Sequence, residues 1–567
     1  MAKVENLTRT GGNLVVQALC EENVKHVFGL IGSAGMEIFD SLYDKPQIKF
    51  IGVRDERTGT HMADGYARAS GKAGVILAGQ NGPGVTNLVT GLAQANAAFS
   101  PVIALAGCLS SEHQYRDAFQ EVDQFSLLKP VTKKTYLVPS TARIPELVRD
   151  SFRTAMSPKR GPVALNIPRD VLSQTIENGE FFSPVGRELD VLCGPSAKVI
   201  DAVVNLIRKA KAPLILAGGG VKNGRYGKSV EKLSSILNVP LATSPGHGDA
   251  VSASFDNYAG QVGPRGNVIS TELMQTADLI LAIGTRIGFN ATFFSYDNIN
   301  RNAKIVQVEL DPLSIGRFFP VEMGILADAG VFTDSLIDGL CDYKPSAPVN
   351  KWTKQFKAKR KTLLQERDAV QITKGFIQPD ALFKAIRGVC PTDSAFTLDA
   401  GTLCLQATDK LNYHVTPSLF SPLDFGLVGF SYACGLGVKV AMPERPVISL
   451  MGDGGFGMTS SELGTAAEFN IGTICVVMNN GCWGAEKAYQ RDFFNKRYLG
   501  SEVPNPKYDQ LAELWGVRGY RVETISQFEQ AMANALSENK PAVLDVLVDP
   551  DALYSFRRDS FKSRTKG

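Results

Sequence analysis

Apolar residues in this chain gather into short runs that end in glycine or polar clusters, with helically spaced apolar positions between them. In the first third, runs at 27–31, 50–53, 74–78 and 102–106 alternate with helical patterns that begin at Met36 and cover 60–69 and 87–98. Runs at 213–217, 279–283 and 304–310 continue the alternation through the middle, and runs at 396–398, 447–451 and 473–478 through the last third. Uniformly apolar strands separated by amphipathic helices predict parallel sheets covered on both faces. The expected fold class is therefore α/β, with three doubly wound parallel-sheet domains.

Punctuation between the runs places the boundaries. The turn cluster Cys193-Gly194-Pro195-Ser196 closes the first segment. The stretch PSAPVNKWTKQFKAKRKTLLQERD reads as a linking helix with a solvated basic face. Domains are expected at 1–190, 197–345 and 379–550, with a tail at 551–567.

The most informative stretch is 447–486, VISLMGDGGFGMTSSELGTAAEFNIGTICVVMNNGCWGAE. Its first apolar run ends in Gly452-Asp453-Gly454 and its second in Asn479-Asn480. Between them a helix is expected to open at Thr459, with Glu462 completing a capping box. A strand–helix–strand unit of this length puts Asp453 and Asn480 at the carboxyl ends of neighbouring parallel strands, the rim where open α/β sheets bind ligands. Oxygen side chains beside glycines suit a hard cation and a phosphate; magnesium in particular takes few of its roughly six oxygens from protein.

GDG followed at this distance by NN resembles the signature of thiamine diphosphate enzymes. The resemblance implies a metal held by Asp453, Asn480 and the Cys482 carbonyl. It implies cofactor contacts from Gly32, Asn87, Gly401, Thr402, Gly426, Val428, Gly452, Asp453, Gly454, Gly455, Asn480, Cys482, Trp483 and Gly484. The three domains become pyrimidine-binding, central and diphosphate-binding. Gly401-Thr402 would present a helix N-terminus to diphosphate, and Val428 would bend the cofactor.

The segment VRDERTGTHMADGYARASGK resembles the one that carries the activating acid in the acetohydroxyacid synthase-like branch, which points to Glu56. Thiamine chemistry needs the thiazolium ring deprotonated, and the cofactor's aminopyrimidine does this when a carboxylic acid polarises its far nitrogen. A glutamate withdrawn from water can hold the required proton. Gln120, in DAFQEVDQ, resembles a loop residue that reaches the reacting carbon. In relatives the cofactor lies between subunits, which implies a homodimer or homotetramer.

Composition narrows the surroundings. At 567 residues with 44% hydrophobic and 21% charged positions, the chain is of ordinary globular type, and its net charge of +3 argues against nucleic-acid or membrane-surface partners. There is no signal-like leader and no apolar run long enough to span a membrane. Nine cysteines without a CxxC pair fit a reducing cytoplasm. Middle domains of this family hold FAD, ADP or nothing. GGGVKNG lacks the dinucleotide fingerprint, so a structural spacer is the favoured reading.

Three motifs, CWGAEKAYQRDFFNKRYLG, FQEVDQ and FRRD, resemble the sulfoacetaldehyde acetyltransferases within this family. That implies an aldehyde donor that loses sulfite and a phosphate acceptor, both anionic. Ser33, His113, Lys487, Arg497, Arg557 and Arg558 are the candidate substrate contacts, arginine forks suiting sulfonate and phosphate. A 2-oxo acid carboligase or decarboxylase uses the same activated cofactor and stays open as an alternative. So does a non-catalytic cofactor-binding subunit.

Overall fold

The computed structural model describes residues 9–177, 192–370 and 375–555. Three six-stranded sheets dominate it, and every strand pairing within them is parallel. By contact, the chain forms two compact units. One comprises Met1–Leu189, Tyr432–Glu444 and Thr459–Gly472, the other Asp190–Ser431, Arg445–Met458 and Thr473–Gly567.

The first unit holds one of the six-stranded sheets: β1 (His26–Gly29), β2 (Lys49–Gly52), β3 (Gly74–Ala78), β4 (Val102–Cys108), β5 (Lys134–Leu137) and β6 (Val163–Pro168), in the order β2-β1-β3-β4-β6-β5. Central strands β3 and β4 are buried along their whole length, which is why they read as unbroken apolar runs rather than alternating ones. One face packs Val75, Leu77, Ile103 and Leu105 against Leu14, Val15 and Leu19 of the helix Gly11–Glu21.

The second unit holds two sheets. The central one contains β7 (Pro213–Ala217), β8 (Leu241–Thr243), β9 (Tyr258–Gln261), β10 (Leu279–Ile283), β11 (Lys304–Glu309) and β12 (Met323–Leu326), ordered β9-β8-β7-β10-β11-β12. Relative to chain order this is 3-2-1-4-5-6, the arrangement of dinucleotide-binding sheets. The last sheet contains β13 (Ala395–Leu398), β14 (Leu419–Phe420), β15 (Val447–Gly452), β16 (Thr473–Asn479), β17 (Arg518–Val522) and β18 (Ala542–Leu547), ordered β14-β13-β15-β16-β18-β17. First and last sheets thus share one topology, 2-1-3-4-6-5, and the central one differs. In the shared topology the strand order reverses between the first and third strands, so the ligand crevice is expected at their carboxyl ends.

The basic linker is a 22-residue helix, Ala347–Asp368, which buries Val349, Thr353 and Phe356 and leaves most of its lysines in water. Among the described residues no helix is long and apolar enough to cross a membrane.

Two local expectations need correction. The capping box at Thr459 does not form: Thr459 makes no side-chain cap bond, and a 3-10 turn, Ser460–Glu462, follows it. Glu462 instead accepts from Arg54 N at 3.0 Å, Thr58 Oγ1 at 2.5 Å and Thr465 Oγ1 at 2.7 Å. A buried carboxylate with two tertiary donors and a third from Thr465 outcompetes a local cap worth about 1 kcal/mol. The helix expected from Thr60 begins at Glu56, because Asp55 caps it by accepting from Arg57 N at 2.7 Å.

Candidate active site

In the second unit, strands β13 and β15 diverge toward a cleft of about 330 Å³, lined by Asp399, Gly401, Thr402, Val428, Asp453 and Trp483 among others. It sits at the switch point of the last sheet. Register places Gly452 opposite Met478 on β16, so Asp453 and Asn480 follow adjacent strand ends, as the spacing of GDG and NN implied.

The oxygens there converge. The Asn480 side-chain oxygen stands 3.0 Å from the Cys482 carbonyl oxygen and 3.2 Å from Asp453 Oδ1, three acceptors drawn together, with the Cys482 N–H donating to the Asn480 oxygen at 3.4 Å. Turning the amide over would make two hydrogen bonds, and a cation among the oxygens removes the need for it. Amide orientation is an assignment from such networks; the positions of the three groups do not depend on it. Asp453 is buried, which pushes its carboxyl up to about 6 against the pull of the Asn505 hydrogen bond. A cation reverses that penalty.

A facing segment holds these ligands. Trp483 N donates to Ser501 O at 2.8 Å and Val503 N to Gly481 O at 2.9 Å, pairing Cys482 with Glu502 as an antiparallel bridge. Asn505 Nδ2 donates to Asp453 Oδ2 at 2.5 Å, and Tyr508 Oη to the Asp453 carbonyl at 2.8 Å. None of these holders was foreseen from the sequence.

The remaining cleft wall suits a diphosphate. The helix Thr402–Lys410 points its N-terminus there. Thr402 Oγ1 is buried without a hydrogen-bond partner among the described residues, an orphan that a phosphate oxygen satisfies. Gly401 has φ 116°, a conformation that only glycine adopts freely. Gly454 has no room for a side chain, since a Cβ would lie 2.7 Å from the Trp483 ring. Asp399 accepts from Ala400 N, Gly429 N and Phe430 N at 3.0, 3.0 and 3.1 Å. Those bonds fix the turn that carries Val428. Gly426, Gly452, Gly455 and Gly484 also line the cleft.

The first unit supplies a second cluster at its own switch point. Gln80 follows β3 and donates from Nε2 to Ser33 Oγ at 3.0 Å and to Gln120 Oε1 at 2.9 Å. Asn81 Nδ2 holds the Gln120 carbonyl at 3.2 Å, and Gln120 itself takes φ 63°. Glu56 is 3% exposed and accepts from Asn87 Nδ2 at 3.1 Å through Oε2. A Cβ on Gly84 would lie 2.8 Å from Glu56 Oε1 and 3.5 Å from Gln80 Cβ, which puts acid and amide cluster side by side. Gly32 lies against Gly79 at the same strand ends. Ser33, Gln80, Gln120, Glu56 and Asn87 are thus brought together; Gln80 was missed, and its place between Ala78 and the PGV turn was the available signal.

The cations expected to meet anions behave differently. Lys487 Nζ pairs with Glu502 at 2.8 Å and does not line the cleft. Arg497 is exposed and likewise absent from its lining. His113 is exposed beside Glu112, and Arg557 and Arg558 lie outside the described residues. The one cationic side chain among the described residues of the lining is Arg265, from the turn after β9, with its guanidinium 5.1 Å from the Phe293 ring centre. Sequence reasoning passed over it because GPRG reads as a plain turn.

Comparison with known proteins agrees with this geometry. Models of thiamine pyrophosphate enzymes match in three places: the N-terminal TPP binding domain over residues 9–127, the central domain over 200–336 and the C-terminal TPP binding domain over 399–546. The chain is 30% identical to a probable acetolactate synthase large subunit of Methanococcus aeolicus, over 96% of this chain and 93% of that one. It is 30% identical to the sulfoacetaldehyde acetyltransferase of Alcaligenes xylosoxydans xylosoxydans and 31% to that of Castellaniella defragrans, each over 97% of this chain and 95% of the relative. The chain therefore belongs to the thiamine pyrophosphate enzymes, in their acetolactate synthase-like family, and thiamine diphosphate is its cofactor.

Proposed function

We propose that this enzyme is an acyltransferase that converts sulfoacetaldehyde and phosphate to acetyl phosphate and sulfite, with magnesium as its cation. The observation that supports this reading is the amide and hydroxyl cluster of Ser33, Gln80 and Gln120 beside Glu56. It offers hydrogen bonds to an acceptor-rich group such as a sulfonate, where an apolar pocket would suit a 2-oxo acid's alkyl chain. Thiamine diphosphate supplies a nucleophilic thiazolium carbon that takes up the aldehyde.

The chain's own groups do the rest. Asn87 engages Oε2 of Glu56, which leaves Oε1 to hold the proton that polarises the aminopyrimidine. Asp453, Asn480 and the Cys482 carbonyl would hold magnesium, and Thr402 would bind a phosphate oxygen. Val428 would support the cofactor, and Trp483 would exclude water. The atoms balance without an external oxidant: the aldehyde carbon gives up its proton, the electron pair left behind expels sulfite as the C–S bond breaks, the former methylene carbon takes up a proton to become methyl, and a phosphate oxygen takes the acyl group. The working form in this reading is a homodimer or homotetramer, with Glu56 of one chain serving cofactor bound by another. The central domain acts as a spacer.

Incubation with sulfoacetaldehyde and phosphate is expected to give acetyl phosphate and sulfite in equal amounts. Pyruvate alone is expected to give neither acetolactate nor acetaldehyde. The reverse pattern would favour the carboligase reading, which the acetolactate synthase among the relatives supports equally by identity.

A further inference from the structure

The three oxygens assigned to the cation are not held by their own loops alone. The segment 501–508 grips them from one side. Backbone pairing of Ser501 and Val503 with Trp483 and Gly481 fixes the direction of the Cys482 carbonyl between them. Asn505 takes Oδ2 of Asp453, which leaves Oδ1 facing Asn480. Tyr508 Oη lies 2.8 Å from the Asp453 carbonyl and 2.9 Å from Asn505 Oδ1, tying the two residues together.

The grip continues into the sheet. Tyr508 N donates to Asp545 Oδ2 at 3.1 Å, and Asp545 Oδ1 accepts from Asn479 Nδ2 at 2.8 Å. Asp545 is fully buried on β18 and pairs with Arg521 of β17. Asn479 precedes the ligand Asn480, so one buried carboxylate braces both the Asn480 side and, through Tyr508, the Asp453 side. None of these residues carries chemistry of its own, and the arrangement uses a charge where burial is costly without several partners.

We propose that this brace, acting through Asn505 and Tyr508, sets the size of cation the site accepts, favouring magnesium over calcium. The inference rests on the reading that Asp453, Asn480 and Cys482 hold a divalent cation. Octahedral magnesium at 2.0–2.1 Å from its ligands needs neighbouring oxygens about 2.9 Å apart, whereas calcium at 2.3–2.6 Å in the same arrangement needs about 3.3 Å or more. The Asn480 oxygen stands 3.0 and 3.2 Å from its two neighbours, above the magnesium spacing and below the calcium one. A brace that resists spreading penalises the larger ion, and a loosened one forgives it. Asn505 and Tyr508 are positioning residues in this account.

The test uses full-length protein with saturating thiamine diphosphate and no substrate. Magnesium and calcium are titrated separately while tryptophan emission is followed, Trp483 lining the cleft. For Tyr508→Phe and Asn505→Ala the magnesium Kd is expected to rise about tenfold, with calcium weakened less, so that the calcium-to-magnesium Kd ratio falls by about fivefold. A ratio unchanged within about twofold, whether both ions weaken together or neither does, overturns the proposal. Asn505→Ser serves the same comparison if the alanine variant fails to fold. Absence of saturable magnesium binding in the wild type would instead sink the underlying assignment of the cation site.

Discussion

Asn87 donates to one oxygen of the buried Glu56 carboxylate at 3.1 Å, and a methyl group on Gly84 would stand 2.8 Å from the other. The obstructed atom is the end of a side chain, so the backbone can stay while the acid moves. Gly84→Ala is therefore expected to fold normally, with less than about 1 kcal/mol lost, yet to turn over at least tenfold more slowly, about 1.4 kcal/mol at the transition state. Denaturant midpoint and kcat, measured on one preparation, separate the two effects.

Glu462 is a structural anchor on this account. Replacing it with alanine leaves Arg54 N without its acceptor beside a buried gap, while the Thr58 and Thr465 hydroxyls fall back on the Asp55 and Gly52 carbonyls. The expected loss is about 2–4 kcal/mol, read as an earlier first transition in urea. Glu462→Gln, which keeps the shape and one acceptor, should lose about half of that.

Burial pushes the Asp399 carboxyl up to about 7, in spite of three backbone N–H donors. The unfolded carboxyl titrates near 3.9. Below about pH 4 both states are protonated and this contribution is fully present. As pH rises from there through about 7, the unfolded chain gives up its proton first and the folded state loses stability, on the order of 4 kcal/mol in all. Cofactor-free protein should therefore lose stability between pH 4 and 8 relative to Asp399→Asn. A wild type that gains on the variant over that range would mean that the three N–H bonds outweigh burial.

Arg265 is the cationic side chain that lines the cleft among the described residues. Arg265→Ala is expected to raise KM for an anionic substrate about tenfold to a hundredfold, the worth of a charge-assisted hydrogen bond, with a smaller effect on kcat. Arg265→Lys should recover part of the loss. An unchanged KM would place substrate recognition on other residues.

The sheets were legible because buried parallel strands leave no alternation to confuse, and glycine or asparagine marks each strand end at the crevice. The 3-2-1-4-5-6 order of the central sheet was not legible, since strand order depends on crossovers that no local window contains. Asp453 and Asn480 could be placed at adjacent strand ends from the sequence because a strand–helix–strand unit fixes the distance between GDG and NN. Asn505, Tyr508 and Asp545 were hidden: Asn505 lies in a loop, where a polar residue is ordinarily solvated, and Tyr508 and Asp545 reach the site through contacts distant in sequence. Lys487 misled for a related reason. It lies on the helix Gly484–Phe493 next to the cleft, but its ammonium pairs with Glu502 of the bracing segment at 2.8 Å. Thr459 and Glu462 carried a true capping pattern, and donors from Arg54 and Thr58, at the start of the helix Glu56–Ser70, took the carboxylate.

The central claim is that Glu56 switches on the cofactor, and proton exchange at the thiazolium carbon reports this without any substrate. Holoenzyme is mixed with deuterium oxide, quenched in acid after set intervals, and the C2 proton of the released cofactor is counted by NMR. Wild-type protein should exchange faster than its own turnover, and Glu56→Gln at least about a hundredfold more slowly with cofactor still bound. Equal exchange rates in the two proteins would contradict the account.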